Sequence, residues 1–329
     1  MNPIVSIIIP IYNEEKYIEN CIISLLNQEY PKEKMEWLFL DGRSTDNTVN
    51  IINSYIVEYG SLIRLIDNPN RIQSYAMNIG IKEAKGNYII RMDAHADYDK
   101  DYVKECVKLL DTGLYDNVGG IAETRSKSSF GKIIALMMSS KFGVGNSQFR
   151  TSQEARLVDT VPFGAFRKDY LEKIGGFDER LDRNEDNEIN YRIRKQGGKV
   201  YMSPKIKFTY YCRDTLKGIL SMAFQNGKWT IITSKLCPGS MSVRHLVPFA
   251  FVMSLIGLTV LSCFSTVFCF LLLLELLIYF STALFFSIKT KSNIDSVMKL
   301  LLLFPAFHVA YGCGSLSGII VVFRRALKI

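Results

Sequence analysis

VSIIIPIYNEEKYI, residues 5–18, is the stretch on which the reading of the whole chain turns. Val5 to Tyr12 is a short apolar run rich in β-branched residues, which suits a buried strand, and Asn13 ends it. From Glu14 to Gln28 the spacing predicts a helix. Asn13 can cap it, Glu14 and Glu15 suit the positive end of its dipole, and Ile18, Ile22, Leu25 and Leu26 make an apolar face. The turn between strand and helix, PIYNEEKY, holds no glycine. A dinucleotide-binding sheet needs glycine there so that backbone can approach a pyrophosphate, and a bulky acidic turn repels one. A nicotinamide cofactor is therefore rejected. A nucleotide bound here needs its phosphates neutralised another way, and a divalent metal is the obvious means.

The same alternation continues downstream. WLFLD (37–41) repeats the strand signal, Asp46 to Tyr59 reads as a helix, and Ile63 to Ile66 as a third strand. Gln73 to Ala84 is a third helix, stopped at Gly86, and Tyr88 to Met92 a fourth strand. This pattern predicts an α/β fold with a mostly parallel sheet sandwiched by helices, whose ligands bind at the carboxyl ends of the strands. Asn13, Asp41 and Asp93 all stand at such ends. IIRMDAHADYD (89–99) places one of only three histidines among acids at one of them. At i and i+2 of a strand end, Asp93 and His95 point to one side and could share a cation, the imidazole shifting preference from Mg²⁺ toward Mn²⁺. By composition an Asp-x-His triplet arises in roughly a third of chains this long, so its position after the fourth strand gives it weight. In NEDNEINYRIRKQGG (184–198), Glu185, Asp186 and Glu188 lead a helix with Ile189 and Ile193 on its apolar side. The dipole alone accounts for such acids about as well as chemistry does.

Composition shifts near residue 240, where CPGS (237–240) reads as a turn. From Leu246 to Ile288 the one ionisable acid or base is Glu275. At roughly 20 residues per crossing, two membrane spans fit, at 246–266 and 268–288. A third candidate, 300–323, is interrupted by Pro305 and glycines. Lys289, Lys291 and Lys299 place the intervening loop, and with it the N-terminal domain, on the cytoplasmic face of the cell (inner) membrane. Arg324, Arg325 and Lys328 run against that rule if the third segment crosses fully, so a re-entrant or interfacial segment is the alternative. A lone acid in a span is expected to be protonated, paired or near the interface. His308 and YGCGSLSG (311–318) read as helix packing. The net charge of +8 comes from Lys and Arg interspersed with acids and forming no stripe, which argues against nucleic acid. The seven cysteines show no CxxC spacing, which suits a reducing compartment and no structural zinc. No basic n-region precedes the first apolar run, so no signal peptide is expected. The expected domains are a catalytic domain over 1–214, an amphipathic interfacial segment over 215–240 carrying a helix from Leu216 to Leu236, and a membrane domain over 241–329.

VSIIIPIYNEEKYI, FLDGRSTDNT, NPNRIQSYAMNIGI, AKGNYIIRMDAHA and GGFDERLDRNEDNEINYRIRKQGG, taken together and in this order, resemble the signatures of the family 2 inverting glycosyltransferases. The likeness covers about residues 3–235 and is nearest the membrane-associated, succinoglycan-type branch of exopolysaccharide enzymes. In that branch Asp-Ala-His-Ala stands where most relatives have Asp-x-Asp. The resemblance implies a GT-A type fold and inverting transfer of a hexose from a nucleoside diphosphate sugar, a UDP-sugar; the expected acceptor is a lipid-linked saccharide, since an enzyme tethered by its C-terminus meets lipid-bound substrates readily. It implies that Pro10, Tyr12 and Glu14 line the nucleotide pocket, that Asp41 meets the uracil or ribose, and that Arg71 lies near base or phosphates. Asp93 would face ribose and metal, and His95 would take the second metal-ligand position for Mn²⁺ or Mg²⁺. Asp186 would be the general base, with Glu185 and Glu188 behind it or simply solvated. QNGKW (225–229) is similar to a Gln-x-x-Arg-Trp motif, so Gln225, Lys228 and Trp229 are placed on the acceptor and diphosphate side. Lys there keeps the charge of Arg but loses its planar fork. VPFGAFRK (161–168) with Gly175 and Gly176 resembles an acceptor-side segment, the glycines serving as turn formers. Two rivals stand beside this reading: polyprenyl phosphate itself as acceptor, and a non-catalytic membrane scaffold that keeps the fold.

Overall fold

The computed structural model describes residues 4–290 and 293–326. Lys291 and Lys328, the side chain of Arg325 and the first three residues of the N-terminal run lie outside the described residues. The chain forms two units. The first runs to Glu123 and resumes over Ser152–Tyr211; the second takes Thr124–Thr151 and everything from Cys212 onward. The segment 124–151, read from sequence as part of the catalytic domain, therefore groups with the C-terminal helices.

In the first unit β1 (Val5–Ile11), α1 (Ile18–Leu26), β2 (Met35–Asp41), α2 (Thr48–Tyr59), β3 (Ile63–Asp67), α3 (Gln73–Glu83) and β4 (Tyr88–Arg91) alternate as the apolar pattern requires. Strands β3-β2-β1-β4 lie side by side and parallel, with Val5 opposite both Met35 and Tyr88. Ile7, Ile8 and Ile9 are all fully buried, so both faces of β1 are covered, which is why these strands read as continuous apolar runs. Strand order reverses between β1 and β4, and that reversal opens a crevice at their carboxyl ends. The sheet then continues through β5 (Ala96–Tyr98), α4 (Tyr102–Leu110), β6 (Asn117–Arg125), β7 (Arg156–Leu157), β8 (Ala165–Arg167), α8 (Lys168–Lys173), α9 (Glu185–Lys195) and β9 (Val200–Tyr211). The segment between β6 and β7 holds three helices, α5 (Ser129–Met138), α6 (Lys141–Val144) and α7 (Gln148–Thr151), described with the second unit. These later strands add antiparallel pairs, β4 with β8, β8 with β6, and β9 with β5.

One helix starts later than its periodicity predicts. Asn13 does not cap it: its backbone is left-handed (φ 55°), and its Oδ1 accepts from Thr45 N at 2.8 Å. Glu14 N donates to Thr48 Oγ1 and Glu15 N to Asp46 Oδ2. Donors that a helix would leave unpaired are satisfied by the β2–α2 loop instead, so regular helix begins only at Ile18.

Close approach fixes one glycine. A Cβ on Gly120 of β6 would lie 1.8 Å from the backbone oxygen of Ile206 on β9, and backbone cannot step aside. Gly120→Ala should destabilise the sheet unit by about 3 kcal/mol or more, at the upper end for an overpacked core. A chemical melt of the variant checks this, and an unchanged midpoint would contradict the strand spacing.

In the second unit α5 (Ser129–Met138), α6 (Lys141–Val144) and α7 (Gln148–Thr151) precede α10 (Leu216–Leu236), α11 (Val247–Ser262), α12 (Thr266–Lys289) and α13 (Ile294–Ala326). Helix α10 spans the predicted interfacial segment, and its small residues pack on α13. A Cβ on Gly227 would fall 1.9 Å from Tyr311 O, and one on Gly314 1.9 Å from Phe224 O, while Thr230 Oγ1 bonds Tyr311 OH at 2.6 Å. The YGCGSLSG segment is thus a helix-packing surface. Helices α12 and α13 are long and apolar enough to cross a membrane. Helix α11, with 16 residues, is shorter than the span expected over 246–266, and α13 continues through Pro305. Glu275 is held by a hydrogen bond from a neutral group: Ser254 Oγ donates to its Oε1 at 2.5 Å, and among the described residues its buried Oε2 has no hydrogen-bond partner. His308 Nδ1 meets Tyr279 OH at 2.7 Å.

Candidate active site

The crevice at the ends of β1, β2 and β4 collects most of the expected residues, but in three separate groups. At the outer lip, Tyr12 is 43% exposed and the Arg71 guanidinium lies 5.2 Å over its ring. Arg71 has a left-handed backbone (φ 58°), a conformation uncommon for a non-glycine residue. Pro10 pairs with Leu40 inside the sheet. Asp41, ending β2, accepts from Ser44 Oγ at 2.6 Å and from Ser44 N, so its carboxylate is oriented by the loop that follows it.

The second group pairs Glu14 with His95, Oε1 to Nδ1 at 3.4 Å, with the Tyr17 ring edge-on to the imidazole. The i, i+2 argument for Asp93 and His95 does not hold as stated. Strand β4 ends at Arg91, and Asp93 to His95 sit in the loop before β5, so strand alternation does not set their directions. The loop is held otherwise: Asp93 N donates to the buried Tyr98 OH at 2.7 Å, and Gln73 Nε2 donates to Asp93 Oδ1 at 3.2 Å.

The third group is the centre. Arg91 is 3% exposed, and its Nη1 lies 2.6 Å from Asp186 Oδ1 and 3.1 Å from Glu185 Oε1, with its Nη2 3.8 Å from Asp93 Oδ1. Phe163 covers the guanidinium at 5.5 Å and adopts φ 50°, a conformation rare for an aromatic residue and kept here by surrounding packing. Residues almost a hundred positions apart are thereby joined, β4 to the start of α9. Glu185 is buried and ion-paired, so the solvated reading of that side chain is wrong. Glu188 is also buried, and it serves structure: it grips Arg192, whose Nη1 and Nη2 donate to Ile174 O and Gly176 O. That anchors the turn where Gly175 and Gly176 take φ 84° and 66°.

Burial pushes the Asp186 carboxyl up to about 7; Arg91 opposes that shift, and Glu185 and Asp93 add to it. Burial works against the Arg91 charge, yet Asp186, Glu185 and Asp93 raise its pKa and keep it protonated. Three carboxylates face one guanidinium, an excess of negative charge in a part-buried crevice that a divalent cation would balance. Sequence reasoning missed Arg91, Gln73 and Tyr98. The available signal was a charge inside the apolar run Tyr88–Met92, because a fully buried Arg is almost always paired. Gln225, Lys228 and Trp229 lie on α10, in the second unit.

Residues 6–175 match the sequence model described as Glycosyl transferase family 2. A dolichyl N-acetyl-alpha-D-glucosaminyl phosphate 3-beta-D-2,3-diacetamido-2,3-dideoxy-beta-D-glucuronosyltransferase of Methanococcus voltae is 30% identical over 325 residues, covering 96% of this chain and 97% of the relative. The succinoglycan biosynthesis protein ExoA of Rhizobium meliloti is 32% identical over 250 residues, 74% of each. Among solved structures, the mannosyltransferase PcManGT of Pyrobaculum calidifontis, in complex with GDP-Man and Mn²⁺, superposes with a TM-score of 0.65 at 18% identity, over 96% of this chain and 88% of that one. At that identity the likeness shows the fold, a GT-A type sheet. With the full-length relative and the family match together, the chain belongs to the family 2 glycosyltransferases.

Proposed function

We propose that this chain is an inverting, metal-dependent hexosyltransferase that moves a sugar from a UDP-sugar to a lipid-linked saccharide at the cytoplasmic face of a membrane. The observation that carries the reading is the joining of Asp93 and Asp186 through Arg91. It sets a donor-side carboxylate and a base of raised pKa in one crevice. In this reading Asp186 takes the proton of the acceptor hydroxyl as that oxygen attacks the anomeric carbon opposite the leaving diphosphate. A carboxyl with a pKa near 7 suits that task at neutral pH, holding the proton well enough to take it and releasing it to water afterward. Tyr12 and Arg71 line the nucleotide side, Pro10 and Glu14 shape the pocket wall, and Asp41 holds base or ribose.

Asp93 and His95 would hold the metal, a carboxylate and an imidazole suiting Mn²⁺ or Mg²⁺. When bound, the ion would balance charge on the departing nucleoside diphosphate. The excess of carboxylates over cations in the crevice supports that assignment, and so does the Glu14 carboxylate beside His95 Nδ1. A carboxylate behind one ring nitrogen orients an imidazole ligand and favours the neutral tautomer with its lone pair on Nε2.

Domain organisation follows as part of the proposal: catalysis in the sheet unit, and anchoring through α12 and α13. Gln225, Lys228 and Trp229 would serve the acceptor and diphosphate side. The Methanococcus relative is named for transfer to a dolichyl-phosphate-linked sugar, which favours a lipid-linked saccharide over bare polyprenyl phosphate as acceptor. The test is incubation of purified, lipid-reconstituted protein with UDP-hexoses and polyprenyl-linked saccharides, reading UDP release and product anomeric configuration by NMR. The proposal expects acceptor-dependent release with inversion. Retention would overturn the mechanism, and transfer to polyprenyl phosphate alone would overturn the acceptor.

A further inference from the structure

The charge of this chain is divided between its two units in a way that the total of +8 conceals. The sheet unit carries 24 Lys and Arg against 29 Asp and Glu, a net of −5. The helical unit carries 16 against 3, a net of +13. Cations that look interspersed with acids along the sequence are so only within the sheet unit. The least expected part of the helical unit is Thr124–Thr151, which leaves the sheet after β6 and holds five cations and no acid.

The segment is built into the helical unit through its apolar residues, while most of its cations stay exposed. Ile133, Ile134, Met137 and Met138 of α5 are buried, and Phe142 of α6 stacks on Phe286 at 5.7 Å and meets Phe304 edge-on at 5.0 Å. Its apolar side is therefore fastened to α12 and α13, the two helices long enough to cross a bilayer. Arg125, Lys127, Lys132 and Lys141 are exposed. Its two ends are tied at one place: Cys212 N donates to Arg125 O at 3.1 Å, and Arg150 Nη1 donates to Thr124 Oγ1 at 2.8 Å. Arg244, just before α11, donates from Nη1 to Asn146 O at 2.9 Å, bringing another cation to the same segment. From Cys212 to His245 the only acid is Asp214, beside five Lys and Arg.

We infer that residues 124–151 form an anionic-lipid docking surface, holding phosphate-bearing phospholipid headgroups of the leaflet against which the catalytic unit works. Charge complementarity argues for that occupant. A segment whose sequence supplies exposed cations and no acid of its own, attached to membrane-length helices, would meet headgroup phosphates where anionic lipids concentrate. Nucleic acid would need no such attachment, and an acidic protein would have to compete with the leaflet beside it. The inference rests on the membrane anchoring proposed above, and its test separates the two.

The protein is reconstituted into nanodiscs of phosphatidylcholine alone or of phosphatidylcholine with roughly 30% phosphatidylglycerol, enough anionic lipid to give the disc a negative surface potential. Amide hydrogen exchange is then followed across 124–151. Exchange should slow on the order of tenfold in the anionic discs, and the protection should fade as salt shortens the screening length to roughly 3 Å at 1 M. The quadruple variant Arg125→Gln, Lys127→Gln, Lys132→Gln, Lys141→Gln alters only exposed side chains, and it should exchange alike in both lipids. Equal exchange of the unaltered protein in the two lipids would overturn the docking surface while leaving anchoring intact. Failure to enter nanodiscs at all would overturn the anchoring, and the inference with it. Anionic-lipid protection that survives in the quadruple variant would assign it to other cations and overturn the role of this segment.

Discussion

Asp186→Asn should lower kcat by about 10²–10⁴-fold, the usual worth of a general base, while UDP affinity stays within about twofold. The amide keeps the shape and can still meet Arg91, but it cannot take a proton. The expected split, a lost kcat with a retained nucleotide site, separates the base from a structural carboxylate. The native enzyme should also lose activity on the acid side with a single-proton midpoint near pH 7, because burial has pushed the Asp186 carboxyl up to about that value and the base must be ionised to act. Stopped-time assays from pH 5.5 to 8.5 measure that limb. Normal turnover by Asp186→Asn would mean that another group takes the acceptor proton, and Glu185, on the same guanidinium, would be the one to change next.

Arg91→Met should strongly destabilise the sheet unit. It leaves Asp93, Glu185 and Asp186 facing one another with their shared cation gone, and breaking a buried pair costs about 3–5 kcal/mol. The loss should depend on pH, and the sign follows from Asp186. Burial pushes the Asp186 carboxyl up to about 7 and Arg91 opposes that shift, so without Arg91 it rises further; the folded variant then keeps this group neutral while the unfolded chain ionises it, and stability is lost as pH rises. The melting temperature should therefore fall further below that of the native protein at pH 8 than at pH 6, measured in EDTA so that no divalent ion substitutes for the guanidinium. An equal drop at both values would mean that Arg91 contributes packing under Phe163 rather than charge balance. Arg91→Lys should fall between, since an ammonium keeps the charge but cannot serve Asp186, Glu185 and Asp93 from one planar fork.

Much of the architecture was legible because local and tertiary demands agree. Residues 5–11 and 37–41 are strands on both faces of which apolar groups are buried, so periodicity and burial give one answer. Where they part, the sequence misleads. Glu14 to Tyr17 has the composition of a helical first turn, yet Thr48 at the start of α2 and Asp46 just before it take the backbone donors of Glu14 and Glu15. Asp93 and His95 have strand spacing, yet β4 stops at Arg91. For the site, the motif residues were nameable one by one, but their grouping depends on Arg91, which stands inside the quoted stretches IIRMDAHADYD and AKGNYIIRMDAHA and was given no role there. Arg91 reads locally as an interruption of an apolar strand. Its role emerges only when α9 brings Glu185 and Asp186 to it. The allegiance of 124–151 to the helical unit was illegible for the same reason: its apolar face, Ile133, Ile134 and Met137, states that something covers it and not what.

The central claim, that this crevice holds a nucleoside diphosphate through a cation on Asp93 and His95, is tested most directly by calorimetric titration of UDP into the purified protein with Mn²⁺, with Mg²⁺ and with EDTA. The same titration on His95→Ala completes it. The account predicts binding that requires a divalent ion and weakens by about tenfold or more in His95→Ala, in line with the loss of a metal-site residue. UDP binding that is equally tight in EDTA, or indifferent to His95, would contradict it and leave Arg71 and Lys228 as the groups to examine for the diphosphate.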